Sequence, residues 1–277
     1  YEDHQNPGDV NTSSSTNQQQ ATSSRKQFHE HKRIDPSLRL RRAIHHNDAL
    51  LVGRILKTHP HLLQNPDTSP LGLSNTNLHL ACSLGHLAIV KVLLEAWNKY
   101  DSSSSNSIPL NEEHQTPLMF AAKEGHTEIV HLLCSTTSPS IAGIPRRDVR
   151  GRDAIMYAAL GGHDTCLQIL LTFAPAGPAR LLEAADVEGN TALHFASSNG
   201  HLLVLRTLLA AGADSERRNI WSWTPISYSA TVQAEVYFKG LVAEVERRKQ
   251  VRKEAEVKGT GGAVRVVAAA DDEAGVH

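Results

Sequence analysis

Four Gly-His pairs, Gly85-His86, Gly125-His126, Gly162-His163 and Gly200-His201, recur in one frame through the middle of this 277-residue chain. Nine residues before each glycine stands a helix-capping side chain: Thr76, Thr116, Asp153 and Thr191. One apolar pattern follows each pair. It reads Ile89, Val90, Leu93, Leu94, then Ile129, Val130, Leu133, Cys134, then Cys166, Leu167, Leu170, Leu171, then Val204, Leu205, Leu208, Leu209. Self-similarity at such a period means a stack of small units, each unable to bury its apolar face alone. Cap slots at Leu38, Thr76, Thr116, Asp153, Thr191 and Thr224 are 38, 40, 37, 38 and 33 residues apart.

The physics of one unit can be read from its residues. Thr116 caps a helix, and Pro117 fills its first position, where a missing N–H costs nothing. Thr224-Pro225 repeats the arrangement. The first helix is about eight residues long and ends at a glycine able to take the left-handed conformation. A second, antiparallel helix follows. Leu118, Ala121, Ala122, Ile129, Val130 and Leu133 form one apolar seam between the two.

The terminal units keep the frame without the Gly-His pair. Asn47-Asp48 stands in its place in the first, and Gln233-Ala234 in the last. Extra residues fall after the second helices, in 101–113, 135–148 and 172–187, which are expected to be loops. Units are placed near 38–66, 74–100, 114–138, 151–175, 189–215 and 222–250, inside a repeat domain over 35–250. The arm 1–34, rich in Ser, Thr, Asn and Gln, lacks the apolar surface to offset its ordering entropy and is expected to be disordered. Residues 251–277 are expected to be a polar helix end and a tail, loose from 259.

Composition narrows the function classes. A formal net charge of -1 gives no basic field for nucleic acid. No apolar run approaches the length of a membrane span. Cys82, Cys134 and Cys166 are too few and too odd for a disulfide framework, so they read as small buried hydrophobes in a reducing compartment. Tyr1 rather than Met stands first, which keeps open a portion of a longer enzyme.

The stretch from Asn111-Glu-Glu-His-Gln-Thr-Pro-Leu118 to Ala121-Ala-Lys-Glu-Gly-His-Thr-Glu-Ile-Val130 resembles the ankyrin repeat. So does Gly189-Asn-Thr-Ala-Leu-His194 with Gly212-Ala-Asp214. The resemblance implies an all-α solenoid of about five helix-turn-helix repeats plus a C-terminal capping unit. It also implies hairpin loops at right angles to the helices and a concave face made of hairpin tips and first helices. The ends carry a narrower likeness. Pro36-Ser-Leu-Arg-Leu-Arg-Arg-Ala-Ile44 with Leu62-Leu63, and Trp223-Thr-Pro-Ile226 with Tyr237 and Val242-Ala-Glu-Val-Glu-Arg-Arg-Lys249, are similar to the fungal ankyrin-repeat accessory subunit of target-of-rapamycin complex two. That kinship implies a signalling-kinase subunit in the cytoplasm, peripheral at the plasma membrane through its partners.

Candidate sites are weighed against plainer roles. His86, His126, His163 and His201 fall in the helix-helix turns, one unit apart and too distant to share an ion. His79 and His194 follow their capping threonines by three residues, where an imidazole hydrogen-bonds the cap. Glu112, Glu113, Asp148, Asp186 and Glu188 fall in loops or hairpin tips and are expected to face solvent on separate units. No catalytic motif, metal set, cofactor site or small-molecule substrate site is expected.

Partner contacts are expected at Trp221 and Trp223, Trp221 being the more exposed and Trp223, beside the cap Thr224, expected also to cover the end of the core. They are also expected at Arg147, Arg150 and Arg152 beside Arg146, at Arg217 and Arg218, and at Glu112 and Glu113. Ser102 to Ser105 offer a phosphorylatable loop. The expected function is a non-catalytic protein scaffold, the alternative being a stand-alone ankyrin adaptor or inhibitor in a transcription or ubiquitin pathway.

Overall fold

The computed structural model describes residues 34–69, 72–100, 109–136 and 143–267. The arm 1–33, the Ser102–Ser105 run and the tail from 268 lie outside them. Every regular element among the described residues is helical. Helices α1 (Pro36–His45) and α2 (Ala49–Thr58) form the first pair, followed by a 3-10 turn at Pro60–Gln64. Next come α3 (Asn77–Leu84) with α4 (Leu87–Tyr100), α5 (Pro117–Glu124) with α6 (Thr127–Thr136), and α7 (Ala154–Gly161) with α8 (Asp164–Thr172). A short α9 (Pro178–Leu182) precedes α10 (Ala192–Ser198) and α11 (Leu202–Ala210). A 3-10 turn at Pro225–Tyr228 and α12 (Val232–Val267) close the chain.

First helices pack in the row α1, α3, α5, α7, α10 and the final 3-10 turn. Second helices pack in a parallel row, α2, α4, α6, α8, α11 and α12. One hydrophobic cluster runs through both rows from Leu40 to Phe238. Fully buried alanines on the first helices, among them Ala81, Ala121, Ala122, Ala158 and Ala196, let neighbouring backbones approach closely.

Local chemistry sets the helix ends. Asp153 Oδ1 accepts the Met156 N–H at 2.9 Å, and Thr116 Oγ1 accepts the Met119 N–H at 3.2 Å. The Thr76 N–H donates to His79 Nδ1 at 3.2 Å, and the Thr191 N–H to His194 Nδ1 at 3.1 Å. Gly85, Gly125 and Gly162 end their helices at φ 77°, 80° and 78°. In the first unit Asn47 takes φ 56°, and Asp48 caps α2 through the Leu51 N–H at 2.9 Å.

Three features depart from the sequence expectation. Asp35, not the Leu38 slot, caps α1, because its carboxylate accepts from Ser37 and Pro36 fits the first helical position. Segment 172–187 is not a plain loop, since α9 buries Leu181 and Leu182 against the core. The last unit turns at 229–231, before Gln233-Ala234, and Thr231 Oγ1 accepts the Ala234 N–H at 3.1 Å. Helix α12 runs on to Val267. No proline interrupts it, and Glu235–Lys239 and Glu244–Arg248 pair one turn apart along it.

Candidate functional site

The edge of the stack is built from hairpins, and one polar residue organises each. It stands five residues before the helix cap: Asn111, Asp148, Asp186 and Asn219, all buried. Asn111 Oδ1 accepts the Gln115 N–H at 2.7 Å. Asp148 Oδ1 accepts from Arg150 and Arg152 at 2.9 and 2.7 Å. Asp186 Oδ1 accepts from Glu188 and Asn190 at 2.9 and 2.8 Å. Asn219 Oδ1 accepts from Trp221 and Trp223, both at 3.0 Å. Asp148 and Asp186 therefore do not face solvent as expected. A short side chain that folds the loop onto itself must sit inside it.

Adjacent hairpins are tied by one backbone bond each. The Glu112 N–H donates to the Leu73 carbonyl at 3.0 Å, and the Val149 N–H to the Glu113 carbonyl at 3.0 Å. The Val187 N–H donates to the Arg150 carbonyl at 2.9 Å, and the Ile220 N–H to the Glu188 carbonyl at 3.0 Å. Side chains reinforce the ladder. Asn111 Nδ2 donates to Asn75 Oδ1 at 3.0 Å, Gln115 Nε2 to the Tyr157 hydroxyl at 2.8 Å, and that hydroxyl to Asp148 Oδ2 at 2.7 Å. The edge is thus a fixed strip rather than a set of independent loops.

Arg152 turns inward. Its Nε lies 3.5 Å from Asp186 Oδ2, its guanidinium sits 4.8 Å from the Phe195 ring centre, and its side chain is 19% exposed. It joins two hairpins and is not a free surface charge, because a buried carboxylate and an aromatic face of the next unit flank its guanidinium. Arg146, Arg147, Arg150, Arg217 and Arg218 are exposed. Arg147 Nη1 reaches the Ala185 carbonyl at 3.2 Å, and Arg218 Nη1 the Ser222 carbonyl at 2.9 Å.

Glu112 is exposed and accepts from Ser74 Oγ at 2.5 Å. Glu113 is half-buried and lines a hollow with Leu73, Gln115, Phe120, Lys123 and Tyr157. The hollow holds about 200 Å³, below the range of small-molecule sites.

Trp221 and Trp223 are 50% and 54% exposed. The expectation that Trp223 covers the core is corrected. Its ring stands edge-on to Tyr228 at 5.3 Å and leaves its outer side in water. Asn219 holds both tryptophan backbones in the same loop.

The titratable groups in this region have structural partners. Burial pushes Asp153 up to about 6. Burial, with Asp148 beside it, raises the Tyr157 hydroxyl to about 12. Burial lowers His79 to about 4, while its Nε2–H meets the Gln115 carbonyl at 3.0 Å. His194 is also lowered by burial, and its Nε2 meets the Trp223 carbonyl at 3.2 Å. Among the turn histidines, His126 Nε2 meets the Ser83 carbonyl at 3.0 Å and His201 Nε2 the Leu160 carbonyl at 3.1 Å. The three cysteines are free and buried, and burial raises each thiol. Among the described residues no group of three or more His, Cys, Asp or Glu is placed to hold a metal. No described helix is long and apolar enough to cross a membrane.

Sequence reasoning missed Val149, Val187 and Ile220, all more than half exposed at the hairpin tips. The signal was available. Each stands four residues before Asp153, Thr191 or Thr224, so aligning the units on their caps brings the three into one column.

Comparison with known proteins places these features in context. The family described as "Ankyrin repeats (3 copies)" matches residues 40–142 and 140–219. The Target of rapamycin complex 2 subunit AVO2 of Saccharomyces cerevisiae is 28% identical over 217 residues, covering 77% of this chain and 47% of that protein. The putative E3 ubiquitin-protein ligase XBAT31 of Arabidopsis thaliana is 32% identical over 60% of the chain and 35% of its own length. The B-cell lymphoma 3 protein homolog of Mus musculus is likewise 32% identical over 60% of the chain and 35% of its own length. The chain thus spans half or less of these relatives. Among solved structures, the ankyrin repeat protein EF0377 superposes with a TM-score of 0.59 at 22% identity, covering 74% of this chain and 96% of that one.

Proposed function

The chain belongs to the ankyrin-repeat family, and we propose that it serves as an accessory subunit of target-of-rapamycin complex two. Its repeats are a protein-interaction module, and the ankyrin region carries no catalytic role. The complex-specific reading rests on the similarity to AVO2. That alignment takes in 77% of this chain, about 213 of its 277 residues, whereas the family match runs from 40 to 219, which is 180 residues. The similarity therefore extends into terminal sequence outside the family match. End units face water on one side and are under less pressure to match a repeat consensus, so likeness there supports kinship beyond the shared fold. In this reading the hairpin edge and concave face hold a neighbouring subunit, and any association with the plasma membrane comes through partners.

Purification of the native protein under mild conditions, followed by mass spectrometry, tests the proposal. Recovery of the target-of-rapamycin kinase with its complex-two subunits supports it. Recovery of a ubiquitin-pathway or transcription-factor assembly in their place overturns it in favour of a different ankyrin adaptor. A transcript joining this sequence to an enzyme domain overturns it in favour of an ankyrin portion of that enzyme.

A further inference from the structure

Val149, Val187 and Ile220 form an apolar row along the hairpin tips, with 53%, 67% and 64% of their surface exposed. Their backbone N–H groups are each bonded to the preceding hairpin, so the row is continuous and held in register. Trp221 extends it at one end. At the other end Glu112 occupies the same slot and the row stops. A tip slot is solvent-facing and tolerates polar residues freely, so three branched aliphatic side chains there gain nothing from folding. A row of exposed apolar side chains with a polar border is a surface suited to binding.

The border is basic. Hairpin stretches 146–152, 186–190 and 217–223 hold six arginines (146, 147, 150, 152, 217 and 218) and three acids (148, 186 and 188). Asp148 and Asp186 are buried and committed to hairpin N–H groups, and Arg152 is paired with Asp186. What reaches solvent is five arginines against Glu188, with Glu216 just outside. A matching ligand carries negative charge.

We propose that this row docks an extended segment of a partner protein, with an apolar side chain at every third position and acidic residues between. The spacing argues for that form. Units whose helices pack side by side repeat at about 10 Å. A polyproline-type segment advances about 3.1 Å per residue with three residues per turn. Every third side chain then falls on one face at about the interval of the tips, and the intervening acids meet the arginines. The inference rests on the protein-binding reading of the edge and does not depend on which complex the chain joins.

The probe is a synthetic peptide of repeated Leu-Asp-Pro, with repeated Leu-Lys-Pro as its counterpart. Each is titrated into the full chain while tryptophan fluorescence is followed, since Trp221 borders the row. The expected result is saturable binding of the acidic peptide, with the basic peptide weaker by about tenfold or more. Val187→Ser with Ile220→Ser should reduce binding by about tenfold at an unchanged melting temperature, because both side chains are exposed. Arg150→Glu with Arg217→Glu should turn the preference toward the basic peptide. Equal binding of the two peptides, no binding of the acidic one, or parental affinity in both variant pairs overturns the proposal. If the unaltered protein recovers the full kinase complex yet binds neither peptide, the docking row is overturned and the complex assignment stands. If the unaltered protein recovers no such complex yet binds the acidic peptide, the reverse holds.

Discussion

The imidazole of His201 lies against Gly162, so close that a Cβ on that glycine would come within 2.5 Å of the ring's Nδ1. The same histidine bonds the Leu160 carbonyl at 3.1 Å, so the ring is not free to swing away. Gly85 faces His126 and Gly125 faces His163 in the same way. This relationship explains why glycine and histidine recur as a pair. The histidine of one unit roofs the glycine of the unit before it, so neither can drift without the other. Gly200 faces Ala230 instead, because the last unit has no turn histidine.

Gly162→Val is therefore expected to destabilise the stack by at least about 2 kcal/mol, from left-handed strain together with the displaced His201. Gly200→Val is the control. Its φ is 70°, but a Cβ there meets only the Ala230 Cβ at an ordinary 3.7 Å, so the backbone term of about 1–2 kcal/mol applies without a displaced ring. Urea unfolding of both variants measures the difference. Equal losses would mean that the roofing contact carries no energy.

Asp153 is a buried carboxylate where the other internal units use Thr76, Thr116 and Thr191. Burial raises it from 3.8 to about 6. The folded chain thus binds the proton more tightly than the unfolded chain does. The penalty is complete above pH 6 and fades as pH falls toward 3.8. Asp153→Thr keeps an oxygen for the Met156 N–H and removes the charge. It should stabilise the protein by about 2 kcal/mol at pH 7.5, with the gain gone near pH 4. Melting temperatures across that range check it, and a gain independent of pH would contradict it.

His79 works in the opposite sense. Its Nδ1 accepts the Thr76 N–H and its Nε2–H meets the Gln115 carbonyl, so the fold requires the neutral ring. Burial lowers it from 6.5 to about 4. The unfolded chain takes up the proton first as pH falls, so the stability His79 supplies is full above 6.5 and lost toward 4. His79→Gln should reduce the acid sensitivity of unfolding in that window by about 2 kcal/mol. An unchanged pH profile would exclude His79 as a source of that sensitivity.

Trp221→Ala should leave the melting temperature unchanged, since the ring is half exposed and the Asn219-centred loop uses only the backbone at that position. Partner binding should weaken by about 2 kcal/mol or more. Calorimetric titration with the purified partner subunit decides it, and an unaltered dissociation constant removes Trp221 from the interface.

The repeat frame and the helix ends were legible because each depends on local chemistry: a cap, a proline or a positive-φ turn. The buried hairpin aspartates were not. Asp148 and Asp186 look like surface acids until their neighbours' N–H groups are seen to point at them. Arg152 belongs to the same kind of error, because its partners Asp186 and Phe195 lie on the next unit. The apolar tips escaped notice because each is a single residue in a polar loop, visible only when units are compared slot by slot.

Hydroxyl-radical footprinting of the isolated chain and of the same chain in its native complex tests the central claim, that the hairpin edge is the working surface. Oxidation of Trp221, Trp223 and Val187 should fall on assembly, while Leu50 and Leu203 on the second helices, also exposed, should stay as reactive as before. Protection of Leu50 and Leu203 with the hairpin tips left reactive would place the partner on the opposite side and contradict the account.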